Sequence, residues 1–346
     1  HGGKYIIQLL YDSIEDMGGD VSMLNRDDHG HFQGSAEAFR HWDEDGDVQA
    51  SCARCHSASG LPTFHKEGVN ITAEIANGFQ CETCHGGGDW PARFVFESVT
   101  FPSGVSVDVA EGDESGLCMQ CHQGRSAGVT LAANMEGLAP NEVSESLRFS
   151  NIHYFPAGAS RYGADVGAGF QFAGKEYVGY FEHVPGFQAC TDCHDAHELE
   201  VKSEDCFTCH AGLEDVKDIR MTDVDYDGDG DVTTGLYYEI VNLKEALYPA
   251  MQAYATDVVG TGIVYNSHAY PYFFTDTNGN GIADPEESNY GNQFSTWTPN
   301  LLAAAYNYQY ASKEPGAFAH NGQYMAQLLY DSIQAVGGDV SGLTRP

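Results

Sequence analysis

The chain has 346 residues, with 16 Lys and Arg against 50 Asp and Glu, a formal net charge of −34. A field of that sign repels phosphate backbones and anionic headgroups, which excludes nucleic acid as a partner and docking on a negatively charged lipid surface. A hydrophobic fraction of 42% with 20 Tyr and 18 Phe suffices for a packed core, and no apolar run approaches the roughly 20 residues of a membrane span.

The first residue is His1 rather than Met, as expected of a chain processed or trimmed at its start. Residues 1–26 set Tyr5, Leu9, Leu10 and Ile14 at helical spacing and close on Gly18-Gly19-Asp20, predicting a helix with one apolar face. His31 and His41 then fall on one short predicted helix ahead of Cys52-Ala-Arg-Cys55-His56, and Cys81-Glu-Thr-Cys84-His85 follows. Residues 93–109 alternate apolar and polar around Pro102-Ser103-Gly104, which predicts a hairpin. After Cys118-Met-Gln-Cys121-His122 come His153 between aromatics, a second alternating stretch at 169–184 around Gly174, and His183. Cys190-Thr-Asp-Cys193-His194 and Cys206-Phe-Thr-Cys209-His210 complete the cysteines. Beyond them, residues 236–256 and 299–312 show helical apolar spacing, the latter with Pro299 in the first turn.

All ten cysteines therefore lie in five Cys-x-x-Cys-His motifs, with none left over. In this motif the two thiols add to the vinyl groups of haem and the adjacent His binds the iron as proximal ligand. Zinc ribbons pair two Cys-x-x-Cys without a following His, and redox dithiols need one motif rather than five. The expected cofactors are five c-type haems and the expected fold class is a multihaem cytochrome c, haem-organised, with mostly loops and helices and short β-hairpins. The expected division is a pentahaem region at 1–210 and a haem-free helical region at 211–346.

The sixth iron ligand separates carriers from enzymes, because an open position binds substrate and a closed one only passes electrons. Five of the 15 His are proximal, so ten remain for five vacancies. His197 follows His194 by three residues, a reach of about 10 Å at most, too short to round a porphyrin to its opposite face. It must then serve another haem or none. His41, His153, His183, His197 and His320 are the expected distal ligands, and His31, His1 and His268 form a second tier. His29 and His65 stay in that second tier as lone histidines, which are more often structural.

The chain resembles multihaem c-type cytochromes, here a pentahaem one of the extracellular electron-transfer kind. Through Cys-Thr-Asp-Cys-His-Asp-Ala-His197 and the helix-opening His320-Asn-Gly-Gln-Tyr it distantly resembles the group of multihaem nitrite reductase, hydroxylamine oxidoreductase and octahaem tetrathionate reductase. The first resemblance implies covalent haem attachment outside the cytoplasm, hence an extracellular, cell-surface or periplasmic address. The second implies a special haem with a Lys or a crosslinked Tyr, but every motif here ends in His and no Cys-x-x-Cys-Lys occurs. An electron carrier working with other redox proteins or extracellular acceptors is therefore favoured over a reductase of nitrogen or sulfur oxyanions with one open haem, and over a surface protein whose haems are incidental.

Two features remain. Residues 1–26 reappear at 320–345 with 17 of 26 positions identical, so both copies should bury the same apolar face, and head-to-tail self-association into a filament is expected, with His1 or His320 completing a haem. Asp276, Asn278, Asn280, Asp284 and Glu287 follow a calcium-loop pattern of short oxygen side chains at alternate positions around a Gly turn. Asp223, Asp225, Asp227, Asp229 and Asp231 crowd five carboxylates together and want a counter-cation, although the terminal Glu is missing and Glu239 lies three residues beyond its place. One or two calcium ions are expected.

Overall fold

In the computed structural model residues 3–22, 24, 26 and 37–346 are described. They form two compact units that interleave along the chain: residues 1–99, 107–121 and 183–208 in one, and 100–106, 122–182 and 209–346 in the other. This differs from a sequential split at 210, because residues 122–182 pack with the C-terminal helices. Loops and short helices dominate, joined by three two-stranded sheets.

The first unit has a thin apolar interior. One cluster gathers Trp42, Val48, Ala53 and Ala73 with Cys52, and another Leu61, Phe94 and Leu117 with Cys84 and Phe96. The cluster around Trp42 is closed by the antiparallel pairing of Asp47–Val48 with Ala73–Glu74. Cores this small bury little area, so stability here depends on what the cysteines hold. The hairpin expected at 93–109 forms from Ser98–Thr100 and Ser106–Asp108. Its turn closes where Gly104, at φ +87°, donates its N–H to the Phe101 carbonyl at 2.8 Å.

The second unit has an ordinary helical core. Leu236–Tyr254, Pro299–Lys313 and the tail helix Ala317–Ala335 pack on one another, burying Leu243, Leu247, Met251, Leu301, Tyr306, Tyr310 and Leu328 completely. Thr298 caps the second of these helices by accepting the Leu301 N–H at 3.2 Å, with Pro299 behind it. The tail helix breaks at Asn321, whose extended backbone lets its Oδ1 accept the Tyr324 N–H at 3.2 Å. Asn321 is thus a helix cap, and His320 stands at the corner before it.

The stretch 169–184 is not the expected hairpin. Its backbone groups are claimed by side chains instead of a partner strand: Asn307 takes the Phe170 N–H at 2.8 Å and gives to its carbonyl at 3.0 Å. Gln327 accepts the Val178 N–H at 2.9 Å and Asp165 accepts that of Tyr180 at 2.8 Å. A chain so satisfied has no unpaired ladder to offer. Alternation reported its contact with the helices, not strand pairing.

The repeated ends have the same local structure. In the head helix Gly3–Asp16 the Gly19 N–H returns to the Ile14 carbonyl at 2.8 Å, and in the tail helix Gly338 returns to Ile333 at 2.9 Å. Arg26 pairs with Asp12 at 2.7 Å, and Arg345 with Asp331 at 2.9 Å. Their burial differs completely: Tyr5, Ile6, Leu9 and Leu10 are exposed, while Tyr324, Met325, Leu328 and Leu329 are fully buried. Among the described residues no helix is long and apolar enough to cross a membrane.

Candidate haem sites

Four of the motifs begin on short helices, Ala50–His56, Cys81–Cys84, Cys190–Cys193 and Ser203–Phe207, and the third starts within Ser115–Met119. One turn of helix carries both cysteines of a motif on one face, three residues apart, and delivers the His at its end. Asp192 holds the start of the fourth motif by accepting the Gln188 and Ala189 N–H groups at 2.9 and 2.8 Å. None of the ten cysteines is joined in a disulfide.

Three proximal histidines are oriented by main-chain carbonyls. His56 Nδ1 lies 3.0 Å from the Ala38 oxygen, His85 Nδ1 2.7 Å from that of Pro91, and His122 Nδ1 2.9 Å from that of Phe155. A carbonyl only accepts, so Nδ1 must carry the proton and Nε2 keeps its lone pair for a metal. The Phe155 carbonyl is aimed by a backbone at φ +49°, in a loop where His153 also takes φ +78°. Such left-handed residues cost about 1–3 kcal/mol each, which this loop spends to bring an acceptor to His122.

The rings of His85 and His197 lie parallel, 9° between planes and 6.1 Å between centroids. A metal–nitrogen bond of about 2 Å on either side, added to the two ring radii, gives a separation of about 6 Å for two imidazoles across one metal. The ring separation is that of two imidazoles flanking one metal, and it brings the second motif's His85 beside a residue close to the fourth motif. An open cavity of about 660 Å³ borders His85, lined by Pro62, Asn77, Gln80 and Phe94 among others.

Motifs distant in sequence meet through their thiols. Cys55 Sγ sits 3.7 Å from the Gln120 carbonyl, and a hydrogen bond between the Cys55 and Cys121 thiols, with burial, pushes the Cys121 thiol well above its ordinary range. Likewise a hydrogen bond with Cys190, ahead of burial, raises the Cys118 thiol, and the Cys190 N–H donates to Ser115 at 3.0 Å. The third motif is thereby in contact with the first and the fourth.

The other expected ligands are placed as follows. His41 is exposed, with Nδ1 3.1 Å from Glu37 and its ring against Trp42, which itself packs on His56. His153 follows Asn151, whose Oδ1 accepts its N–H at 2.8 Å, and its ring lies edge-on to Tyr154. His183 contacts Phe187, and His268 is exposed in a turn capped by Asn266. His65 packs on Phe94 and Phe96 with Nε2 3.3 Å from the Val95 carbonyl. His320 Nδ1 lies 2.8 Å from Glu314, a carboxylate almost wholly buried, so that Nε2 is the nitrogen a metal would take. His1, His29 and His31 lie outside the described residues. Glu314 carries no local sequence signal, since it stands six residues before the histidine it orients.

In the acidic loops, the carboxylates of Asp225, Asp227 and Asp229 converge within 4.8 Å of one another. Asp231 turns to Thr233 instead, and Asp223 takes no part in the cluster. In the other loop Asp276 accepts the N–H groups of Gly279 and Gly281, while Asn278 and Asn280 both reach Asp284 at 2.8 Å.

Residues 37–123 match the family of cytochrome c7 and related cytochrome c. C-type polyheme cytochrome OmcB of Geobacter sulfurreducens, in two strains, is 28% identical over 371 residues, covering 87% of this chain and 46% of the relative. C-type polyheme cytochrome OmcC of the same species is 25% identical over 407 residues, covering 97% and 49%. The chain spans about half the length of the curated relatives it matches. No solved structure matches it. Motifs and relatives agree: the chain is similar to multihaem c-type cytochromes.

Proposed function

We propose that this chain, as a multihaem c-type cytochrome, transfers electrons through five bis-histidine haems outside the cytoplasm, exchanging them with other redox proteins or extracellular acceptors. The observation that carries the reading is the His85–His197 pair, whose 6.1 Å ring separation is that of two imidazoles on one iron, an arrangement that would leave no position for a substrate. Bound haem supplies a one-electron iron couple. The chain's own residues tether it through paired thiols, orient the ligating imidazoles through main-chain carbonyls, and bring the attachment points of the first, third and fourth motifs into contact. Close attachment points keep macrocycle edges close, as electron hopping requires.

The proposal extends to self-association. The chain carries the helix of residues 3–16 and 317–335 in near-duplicate, and only the second copy is covered; burying each exposed Leu or Ile of the first would contribute about 1.5–3 kcal/mol. A head-to-tail contact between copies is heterologous and propagates unless its rotation closes, which favours a filament.

The test is intact mass and electron paramagnetic resonance of the purified protein. Five haems, all low-spin, are expected, with His197→Ala turning one of them high-spin and leaving four unchanged. A wild-type high-spin fraction that takes up nitrite overturns the carrier reading in favour of a reductase. Electron microscopy decides the filament: a wild type that is monomeric with five low-spin haems rejects it.

A further inference from the structure

We infer that the loop at 276–287 is a binding site for one divalent cation of the calcium class, held by Asp276, Asn278, Asn280 and Glu287. The loop lies in the second unit, away from every haem motif in sequence, and the inference is independent of the electron-transfer reading.

The argument begins with Glu287, which is only 5% exposed. Its Oε1 is held against the start of the loop by three donors: the Thr277 N–H at 2.7 Å, the Thr277 hydroxyl at 2.6 Å and the Asn278 N–H at 3.2 Å. Its other oxygen, Oε2, is buried and has no hydrogen-bond partner. A carboxylate taken out of water with half its acceptor capacity unused is unfavourable unless a cation lies beside it. The rest of the loop is wound to put oxygens there. Gly281, at φ +74°, makes the sharp turn, and its N–H together with that of Gly279 fixes both oxygens of Asp276 at 2.9 and 2.7 Å. The Asn278 and Asn280 carbonyl oxygens accept from Asn280 and Ile282 N–H groups at 2.9 and 2.7 Å and retain a second lone pair each. Hard oxygen donors in a flexible ring of this kind, with a carboxylate closing it, select calcium over softer metals.

The other acidic loop is the internal comparison. Asp225 accepts from Gly228 and Gly230 at 2.6 and 2.9 Å as Asp276 does from Gly279 and Gly281. Glu239, fully buried, accepts the Tyr226 and Asp227 N–H groups at 2.9 Å as Glu287 accepts those of Thr277 and Asn278. Glu239 therefore fills the place of the terminal Glu, reached from the first turn of the helix Leu236–Tyr254 and not from the loop. Its remaining oxygen, however, is paired with Arg220 at 2.5 Å. A guanidinium supplies there the positive charge that Glu287 lacks, so the acidic cluster at 225–231 has no orphaned acceptor and no metal is inferred for it.

Calorimetric titration of the haem-loaded, chelator-treated full chain with calcium chloride tests the site, alongside Glu287→Gln, which keeps an acceptor oxygen for Thr277 and Asn278 but removes the charge. Wild type should bind calcium and melt at a higher temperature with it than with chelator. Glu287→Gln should bind one equivalent fewer and lose that difference in melting temperature, while Asp225→Asn should retain both. If Glu287→Gln fails to fold, judged by its Soret and far-UV spectra, Asn280→Ala should show the same loss of one equivalent. Calcium binding absent from wild type, or unchanged in stoichiometry and affinity in the folded variant, overturns the inference.

Discussion

Leu9 and Leu328 occupy the same position of a repeated sequence, on helices closed by the same Gly-Gly turn, yet Leu9 is 44% exposed and Leu328 is 0% exposed. The difference cannot arise from propensity, which is shared. It arises because the tail helix lies against Leu236–Tyr254 and Pro299–Lys313, while the head helix presents its apolar face to solvent.

Leu328→Ala should therefore destabilise the second unit by about 2.7–5 kcal/mol, the cost of an unfilled core cavity. Leu9→Ala in dilute protein should change stability by no more than about 0.5 kcal/mol. Urea unfolding followed by far-UV circular dichroism compares them, and equal losses would show that both copies are core elements.

Asn307→Ala should be as costly as a core truncation although it removes no large apolar group. It strands the Phe170 N–H and carbonyl and releases Ser332, at about 1–3 kcal/mol for each buried group left unsatisfied. Amide exchange at Phe170 should accelerate in step with the loss of stability; protection unchanged from wild type would contradict the role given to Asn307 in holding the 169–184 stretch.

Glu314→Gln probes His320. If the carboxylate polarises the Nδ1–H of an iron ligand, its removal lowers ligand basicity, and one of the reduction potentials should move positive while the others stay. Protein-film voltammetry reads this directly. Potentials that are all unchanged would remove His320 from the ligand set.

Alkaline pH should unfold the second unit early. Burial pushes Tyr324 and Tyr308 up to about 12 from an ordinary 10.0, and raises Tyr306 and Tyr310 as well. The unfolded chain ionises these phenols first, so their stabilisation is fully present below pH 10 and is lost as pH rises towards 12. Urea midpoints at several pH values should be level up to about 10 and then fall. A midpoint that holds through 12 would mean that the phenols ionise in place.

What the sequence by itself determined is what is local. Attachment chemistry needs two thiols and an imidazole within five residues, so every motif and proximal histidine could be named from spacing, as could the hairpin around Gly104, the helices opening at Leu236 and Pro299, and the Gly-turned loop ending in Glu287. Only the tertiary structure decided which imidazole faces His85, that Glu239 closes the first acidic loop from a neighbouring helix, and that one of two near-identical helices is buried. Each of these depends on groups brought together across tens or hundreds of residues. Alternation at 169–184 misled for the same reason: a period of two records which side chains are covered, and the covering elements here are the two helices that bear Asn307 and Gln327, where a paired strand was expected.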